Sequence, residues 1–471
     1  MKLKDKKIVV VGLGRTGLAA AGFLHHQGAR VLVSDTAGEK ELGDAVGIVR
    51  GLGADIELGP HRTASFQNAD LIVVSPGVSH TIAPIVQARE RGIPVIGEIE
   101  LASRFIEEPI IAVTGTNGKT TTTELIGSML KNSGLKVFVG GNIGNPLIEY
   151  AAKKERTQIV VAEISSFQLD TTAAFRPRVC VLLNITADHL DRYPNFEAYT
   201  DSKIRIFKNQ QAEDVAVLNG ADPLVRAKTK QIKSQRLYFP TLGTDEQGAV
   251  LNGKRIILNL NKLKRIQSKI RFPHSAFRTQ AYLDISKIRL RGRHNFENAA
   301  AASLAALAAG AKLEGIQNTL DRFKGLAHRL EHVATIKAVQ YFNDSKATNV
   351  DGVAKALGCF SKPVLLIMGG RDEGADFRAL EGLIRKHVKA LIIMGEAAGL
   401  IRSALGQLKP TNVATSMKDA VSMAHRKAAP EDVVLLSPGC ASFDWYNNYT
   451  ERGDDFRRAV EEIKKKADGK F

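Results

Sequence analysis

The stretch Thr114-Gly115-Thr116-Asn117-Gly118-Lys119-Thr120-Thr121 sets two glycines, a lysine and a hydroxyl between the apolar run Ile110–Val113 and a helical pattern with Leu125, Ile126, Met129 and Leu130 on one face. A loop of this kind wraps phosphates with backbone N–H groups. Its lysine neutralises β/γ charge, and the following threonine offers an oxygen to Mg2+. The general form has glycine where Val113 stands, so this is the shorter G-x-x-G-K-T version. ATP is expected at Gly115, Thr116, Asn117, Gly118, Lys119, Thr120 and Thr121. Glu163 closes the apolar run Ile159–Ala162, and a carboxylate at a strand tip beside a phosphate loop suits the same Mg2+. Asn184–Asp191 follows another such run, where His189 is a candidate for a second Mg2+. Lys203, in Tyr199-Thr200-Asp201-Ser202-Lys203, reads by residue type as an ordinary solvated lysine.

A second glycine turn, Gly12-Leu13-Gly14-Arg15-Thr16-Gly17, leaves a strand and opens a helix, with Asp35 ending the next strand. Its glycines permit a tight turn and close backbone approach to a phosphate at the helix N-terminus. A dinucleotide and a nucleotide-sugar diphosphate satisfy the same physics, so a nicotinamide oxidoreductase is one reading of this turn alone. Late in the chain stand His328-Arg329 and then Asn343-Asp344-Ser345-Lys346-Ala347-Thr348-Asn349. Asp344 can receive a proton or hold a ribose, while Lys346 and Thr348 can bind a carboxylate. Ser442, in Ser437-Pro438-Gly439-Cys440-Ala441-Ser442-Phe443-Asp444, lacks the G-x-S-x-G elbow, which favours a substrate-binding hydroxyl over a nucleophile.

These motifs need strand ends to hold them. Lys7–Val11, Ala29–Ser34 and Leu71–Ser75 read as strands, with Thr16–His26 as a helix. A second series holds Ile110–Val113, Ile159–Ala162 and Val179–Leu183; a third holds Ala338–Phe342, Val364–Met368, Ala390–Met394 and Val433–Leu436. Short apolar strands alternating with helices predict parallel α/β sheets with ligands at the carboxyl ends of the strands. The fold class expected is α/β in three domains, at residues 1–97, 98–325 and 326–471. The first and third are Rossmann-like, and the second is a P-loop-type ATPase.

The chain has 471 residues, 44% hydrophobic and 24% charged, the balance of a soluble enzyme with more than one core. Its three cysteines (Cys180, Cys359, Cys440) are far apart and lack metal-ligand spacing, which fits a reducing compartment. The opening residues show no cleavable signal pattern, and no apolar run reaches spanning length. A cytoplasmic location without membrane insertion is expected. Twelve of the lysines and arginines behind the net +17 lie between Gly253 and Arg293, against one acid, Asp284. The segment matches no nucleic-acid module, so it reads as a solvated face or as steering for anionic substrates, and a nucleic-acid-binding NTPase is the weaker alternative.

Taken together, Gly115–Thr121, Glu163, Asn184–His189, His294-Asn295 with Asn298, and His328-Arg329 resemble the Mur ligase family of peptidoglycan synthesis, in the family's order and over essentially the whole chain. The runs Asn343–Asn349 and Ser437–Ser442 are similar to those of the members that add D-glutamate, and the DNP-type motif of the diaminopimelate or lysine adders is not found. The resemblance implies an ATP-dependent ligase that activates the carboxylate of UDP-MurNAc-L-Ala as an acyl phosphate and couples it to D-glutamate as a monomer. It implies UDP-substrate contacts from Arg15, Thr16, Asp35, Thr36 and Asn142. ATP would meet the phosphate loop together with Asn295, Asn298, Arg329 and Asp344. Two Mg2+ sites would draw on Thr120, Glu163, His189 and Lys203, with Lys203 carried as its CO2 carbamate. Lys119, His189 and Lys203 would be the catalytic set. D-glutamate would meet Lys346, Thr348, Ser442, Phe443 and Tyr449. Two positions depart from the family pattern: Ala37 where an arginine can serve the uridine side, and Glu373 where lysine is frequent.

Overall fold

The computed structural model describes residues 1–189, 192–243, 246–260, 280–288, 290 and 292–468. Among the described residues twenty strands form three sheets. The first holds β1 (Lys7–Val11), β2 (Arg30–Asp35), β3 (Asp55–Leu58), β4 (Leu71–Val74) and β5 (Val95–Gly97), all parallel, in the order β3-β2-β1-β4-β5. Chain order reverses at β1, so the crevice at its carboxyl end, where Gly12 stands, is a ligand position of doubly wound sheets.

The second sheet holds β6 (Ile110–Thr114), β7 (Val137–Gly141), β8 (Ile159–Glu163), β9 (Val179–Leu182), β10 (Val215–Asn219), β11 (Gln235–Phe239), β12 (Gly248–Asn252), β13 (Arg255–Asn259) and β14 (Gln280–Asp284). Its order is β14-β13-β12-β11-β10-β9-β6-β8-β7. Central β6 lies between β8 and β9, with Val113 opposite Glu163 on one side and Val181 on the other. That register brings the residues after three strands, near 114, 163 and 183, to one end of the sheet. β12, β13 and β14 pair antiparallel. They include the start of the basic stretch, where buried Ile256 and Leu258 alternate with more exposed neighbours and Lys254 and Arg255 face solvent. Residues 261–279 of that stretch lie outside the described residues.

The third sheet holds β15 (Glu331–Ile336), β16 (Val339–Asn343), β17 (Val364–Gly369), β18 (Val388–Met394), β19 (Thr411–Val413) and β20 (Val433–Leu436), in the order β15-β16-β20-β17-β18-β19. β15 is antiparallel to β16 and the others are parallel. Leu366, Met368 and Leu435 enter one core, while Leu365, Ile367 and Val434 enter the core on the opposite face. Burial on both faces is why these strands read as unbroken apolar runs.

The chain divides into two compact units: Met1–Ile185 with Glu197–Ser286 and Asn298–Asp321, and Thr186–Phe196 with Lys287–Glu297 and Arg322–Phe471. The first unit carries the first two sheets and the second unit carries the third. Among the described residues no helix is long and apolar enough to cross a membrane.

Candidate active site

In the first unit the chain leaves β6 through Gly115 and enters the helix Lys119–Asn132. Gly118 has φ +87°, and a Cβ there would stand 2.5 Å from the side-chain oxygen of buried Asn298, so both backbone conformation and space demand glycine. Lys119 Nζ folds back on its own loop, donating to Gly115 O (2.8 Å) and Thr116 O (2.9 Å). Thr120 Oγ1 donates to Glu163 Oε2 (2.7 Å), and Asn142 Nδ2 donates to Glu163 Oε1 (2.8 Å). Glu163 is 1% exposed, so these hydrogen bonds hold an otherwise costly buried carboxylate beside the loop. Lys203 is equally buried, which its residue type did not suggest. Its Nζ donates to Gly115 O (3.0 Å) and lies 4.5 Å from the centre of the Tyr199 ring. Tyr199 in turn shares a 3.0 Å hydrogen bond with the Thr116 hydroxyl.

Asn184 carries more of this loop than the motif reading assigned to it. Its Oδ1 accepts Asn117 N–H (2.8 Å), its Nδ2 donates to Asn117 O (3.0 Å), and its carbonyl accepts Thr116 N–H (3.0 Å). The side-chain amide thus completes a two-bond bridge from the end of β9 to the phosphate loop. The Thr120 hydroxyl and the Glu163 carboxylate are hard oxygen donors, a pair that fits one Mg2+ sharing phosphate oxygens and water. Among the described residues no group of three or more His, Cys, Asp or Glu side chains forms a metal cluster.

The first glycine turn is built as its motif requires. A Cβ on Gly17 would lie 1.8 Å from Gly12 O, and Gly12 itself has φ +91°. Asp35 accepts Leu13 N–H (2.6 Å) and Ala37 N–H (2.8 Å), so this carboxylate shapes the turn. Thr16 is half-buried and Thr36 exposed. Arg15 instead reaches the loop after β7, donating to Gly144 O (2.9 Å) and Asn145 Oδ1 (2.5 Å), with Glu149 at 3.5 Å.

In the second unit, β16, β20 and β17 end side by side. Asp344 accepts Leu330 N–H (3.0 Å) and the Ser437 hydroxyl (3.1 Å). Burial raises its pKa to about 7, against the lowering effect of those hydrogen bonds and of the Arg329 charge. Lys346 Nζ lies 3.8 Å from the centre of the Tyr449 ring, and Thr348 N–H bonds Lys346 O (2.9 Å). Ser442 is buried and Phe443 is 57% exposed. Arg371 pairs with Glu396 (3.0 and 3.1 Å). His189 Nε2 is 3.7 Å from Asp188 Oδ2, and the same oxygen accepts Asn349 Nδ2 (3.1 Å). Asn295 is buried near the start of the helix Arg293–Ala308. Neighbouring His294 has its pKa lowered to about 4, mainly by burial and then by Lys355.

The sequence reading missed Arg452. It is fully buried, and its guanidinium donates to Ser345 Oγ (3.0 Å), Ser345 O (2.9 Å), Cys440 O (3.1 Å) and Ala441 O (3.1 Å). It therefore ties the loop after β16 to the loop after β20. Burial lowers its pKa to about 10. An arginine in a charged helical stretch reads as solvated, and no local pattern marks it.

Family models match the chain in three stretches. The N-terminal domain of MurD-like Mur ligases matches residues 6–97, the Mur ligase middle domain 113–306, and the Mur ligase glutamate ligase domain 328–440. The chain is 52% identical over 460 residues to the UDP-N-acetylmuramoylalanine--D-glutamate ligase of Desulfatibacillum aliphaticivorans, covering 98% of this chain and 99% of that one. This chain belongs to the Mur ligase family. To the D-glutamate ligase of Desulfosudis oleivorans this Mur ligase is 50% identical, covering 98% of both chains. Solved structures share its fold at lower identity. The UDP-N-acetylmuramate-alanine ligase MurC of Thermotoga maritima is 19% identical, with a TM-score of 0.56 over 98% of this chain and all of that one. MurF of the same organism, solved with ADP, is 16% identical, with a TM-score of 0.58 over 98% of this chain and 96% of that one.

Proposed function

We propose that the protein is the ATP-dependent ligase that joins D-glutamate to UDP-N-acetylmuramoyl-L-alanine, working in the cytoplasm as a monomer. The observation that carries the chemistry is the Thr120–Glu163 pair under the glycine loop, a hydroxyl and a buried carboxylate at 2.7 Å where a nucleotide's phosphates would rest. The names of relatives about half identical along the full chain supply the two substrates.

The loop amides of Gly115–Thr121 bind the triphosphate, and Lys119 swings from its own loop carbonyls to offset charge on the transferring phosphoryl group. Thr120 and Glu163 would hold one Mg2+ and His189 with Lys203 a second, which supply electrostatic stabilisation of the phosphates when bound. Carbamylation would join CO2 to the Lys203 nitrogen, the ammonium losing two protons in all, and turn a cation into an anionic oxygen ligand. Arg329, Asn295, Asn298 and Asp344 serve the nucleotide. The alanyl carboxylate attacks the γ-phosphorus and ADP leaves. The D-glutamate amine then adds to the acyl phosphate, and the tetrahedral intermediate expels phosphate to leave the amide. Lys346, Thr348, Ser442, Phe443 and Tyr449 receive the amino acid, and Thr16, Thr36 and Asp35 serve the UDP-sugar side; Arg15 and Asn142, expected there as well, are engaged with the loop after β7 and with Glu163.

Glu373, at a position where family members frequently carry lysine, favours a second reading in which the amino acid differs. ADP release with UDP-N-acetylmuramoyl-L-alanine, measured across amino acids including D- and L-glutamate, separates the two. Turnover dependent on D-glutamate supports the proposal. Preference for another amino acid selects the second reading, and no ADP with any of them removes both.

A further inference from the structure

Arg15 of the first domain and Glu98, the residue directly after that domain, grip one loop of the central domain, and that loop holds Glu163. Arg15 opens the helix Arg15–His26 directly under the first glycine turn, and its two terminal nitrogens donate to Gly144 O and Asn145 Oδ1. Glu98, 2% exposed and directly after β5, accepts Ile148 N–H at 2.6 Å just beyond the same loop. Between these anchors the loop is closed by Gly141 N–H on Asn145 O (2.9 Å). Its tip meets Glu163 twice: Asn142 N–H bonds Glu163 O (2.8 Å), and the Asn142 side chain bonds Glu163 Oε1. The approach is so close that a Cβ on Gly141 would lie 2.5 Å from Glu163 O. The other oxygen of Glu163 accepts the Thr120 hydroxyl of the phosphate loop.

We propose that Arg15 is a positioning residue for the ATP side of the reaction: it holds the 141–145 loop so that Asn142 fixes the Glu163 carboxylate, without itself touching the nucleotide. The inference rests on the ligase reading above and extends it. Arg15 lies on the UDP-sugar domain, yet its guanidinium is directed at the loop that orients a metal-binding carboxylate. The arrangement joins the glycine turn of one domain to the phosphate loop of the next through three side chains, Arg15, Asn142 and Glu163.

The test is a double-mutant cycle of Arg15→Ala and Asn142→Ala, read as kcat, KM for each substrate, and calorimetric affinity for Mg·ADP. Arg15→Ala should weaken Mg·ADP binding several-fold and lower kcat about tenfold, the scale of loss that small misplacements of reacting groups cause. Affinity for the UDP-sugar should change less than twofold. In the Asn142→Ala background the Arg15 change should add almost nothing, because both act through one loop. Arg15→Lys, which keeps the charge but loses the paired donors, should recover only part of the loss. Additive effects would overturn the proposal, as would a loss confined to KM for the UDP-sugar, which would make Arg15 a direct substrate contact. Wild-type enzyme without D-glutamate-dependent turnover would refute the ligase reading; normal wild-type turnover with an unmoved Mg·ADP affinity in Arg15→Ala would refute the positioning role alone.

Discussion

Individual residues of the phosphate loop are fixed by geometry that two glycines make plain. Gly118 and Gly134 both have positive φ, +87° and +89°, but a Cβ at 118 meets Asn298 whereas one at 134 meets nothing within 4 Å. Alanine at either position carries the left-handed penalty of about 1–2 kcal/mol. Gly118→Ala should in addition raise KM for ATP at least tenfold, while Gly134→Ala lowers melting temperature and leaves that KM within twofold. Steady-state kinetics and thermal melts on the pair check this. Asp344 gives a prediction in pH. Its folded-state pKa of about 7 lies above the ordinary 3.8, so the folded chain holds the proton more tightly. Its contribution to stability is complete below the unfolded pKa and is lost as pH rises through the interval up to about 7. Asp344→Asn removes the cost of ionising this buried acid. It should therefore melt at higher temperature than wild type at pH 8, with the gap closing toward pH 4. A gap of constant size across that range would refute the assignment.

Among elements, the phosphate loop depends on its neighbours as much as on its own glycines. β6 delivers the loop, β8 delivers Glu163, and β9 delivers Asn184, whose amide makes both side-chain bonds to Asn117. Losing two such bonds and leaving their partners unsatisfied costs about 1–3 kcal/mol. Asn184→Ala should therefore reduce kcat/KM for ATP by about 10–100-fold, with KM for the UDP-sugar nearly unchanged. Equal losses for both substrates would mean that the bridge supports the sheet at large. In the third sheet, Arg452 plays a comparable part from the helix Tyr449–Ala467, joining strand-end loops that are distant in sequence.

Across the whole molecule, a net charge of +17 meets substrates that are polyanions. Long-range attraction of this kind is screened within about 8–10 Å at physiological salt. Raising KCl from 50 to 300 mM should increase KM for ATP and for the UDP-sugar several-fold, and KM for D-glutamate less, with kcat little altered. Initial-rate measurements at matched Mg2+ decide the matter, and salt-independent constants would assign the basic stretch no steering role.

The sequence by itself determined the strands that are buried on both faces, the two glycine turns and the family, because each is written in contiguous residues. β20 is apolar throughout and β1 is apolar after Lys7, and Gly115–Thr121 keeps its chemistry within seven positions. Polar edge strands such as β3, with its sequence Asp55-Ile56-Glu57-Leu58, and the antiparallel β12–β14 carry weaker patterns and were not legible. Nor was the burial of Lys203, a lysine whose type favours solvent, or that of Arg452. The bridge from Asn184 to Asn117 spans 67 positions, and the grip of Arg15 on Asn145 spans 130. Such contacts depend on which strands become neighbours and on the register between them. That is a property of the assembled sheets, and no local run of residues encodes it.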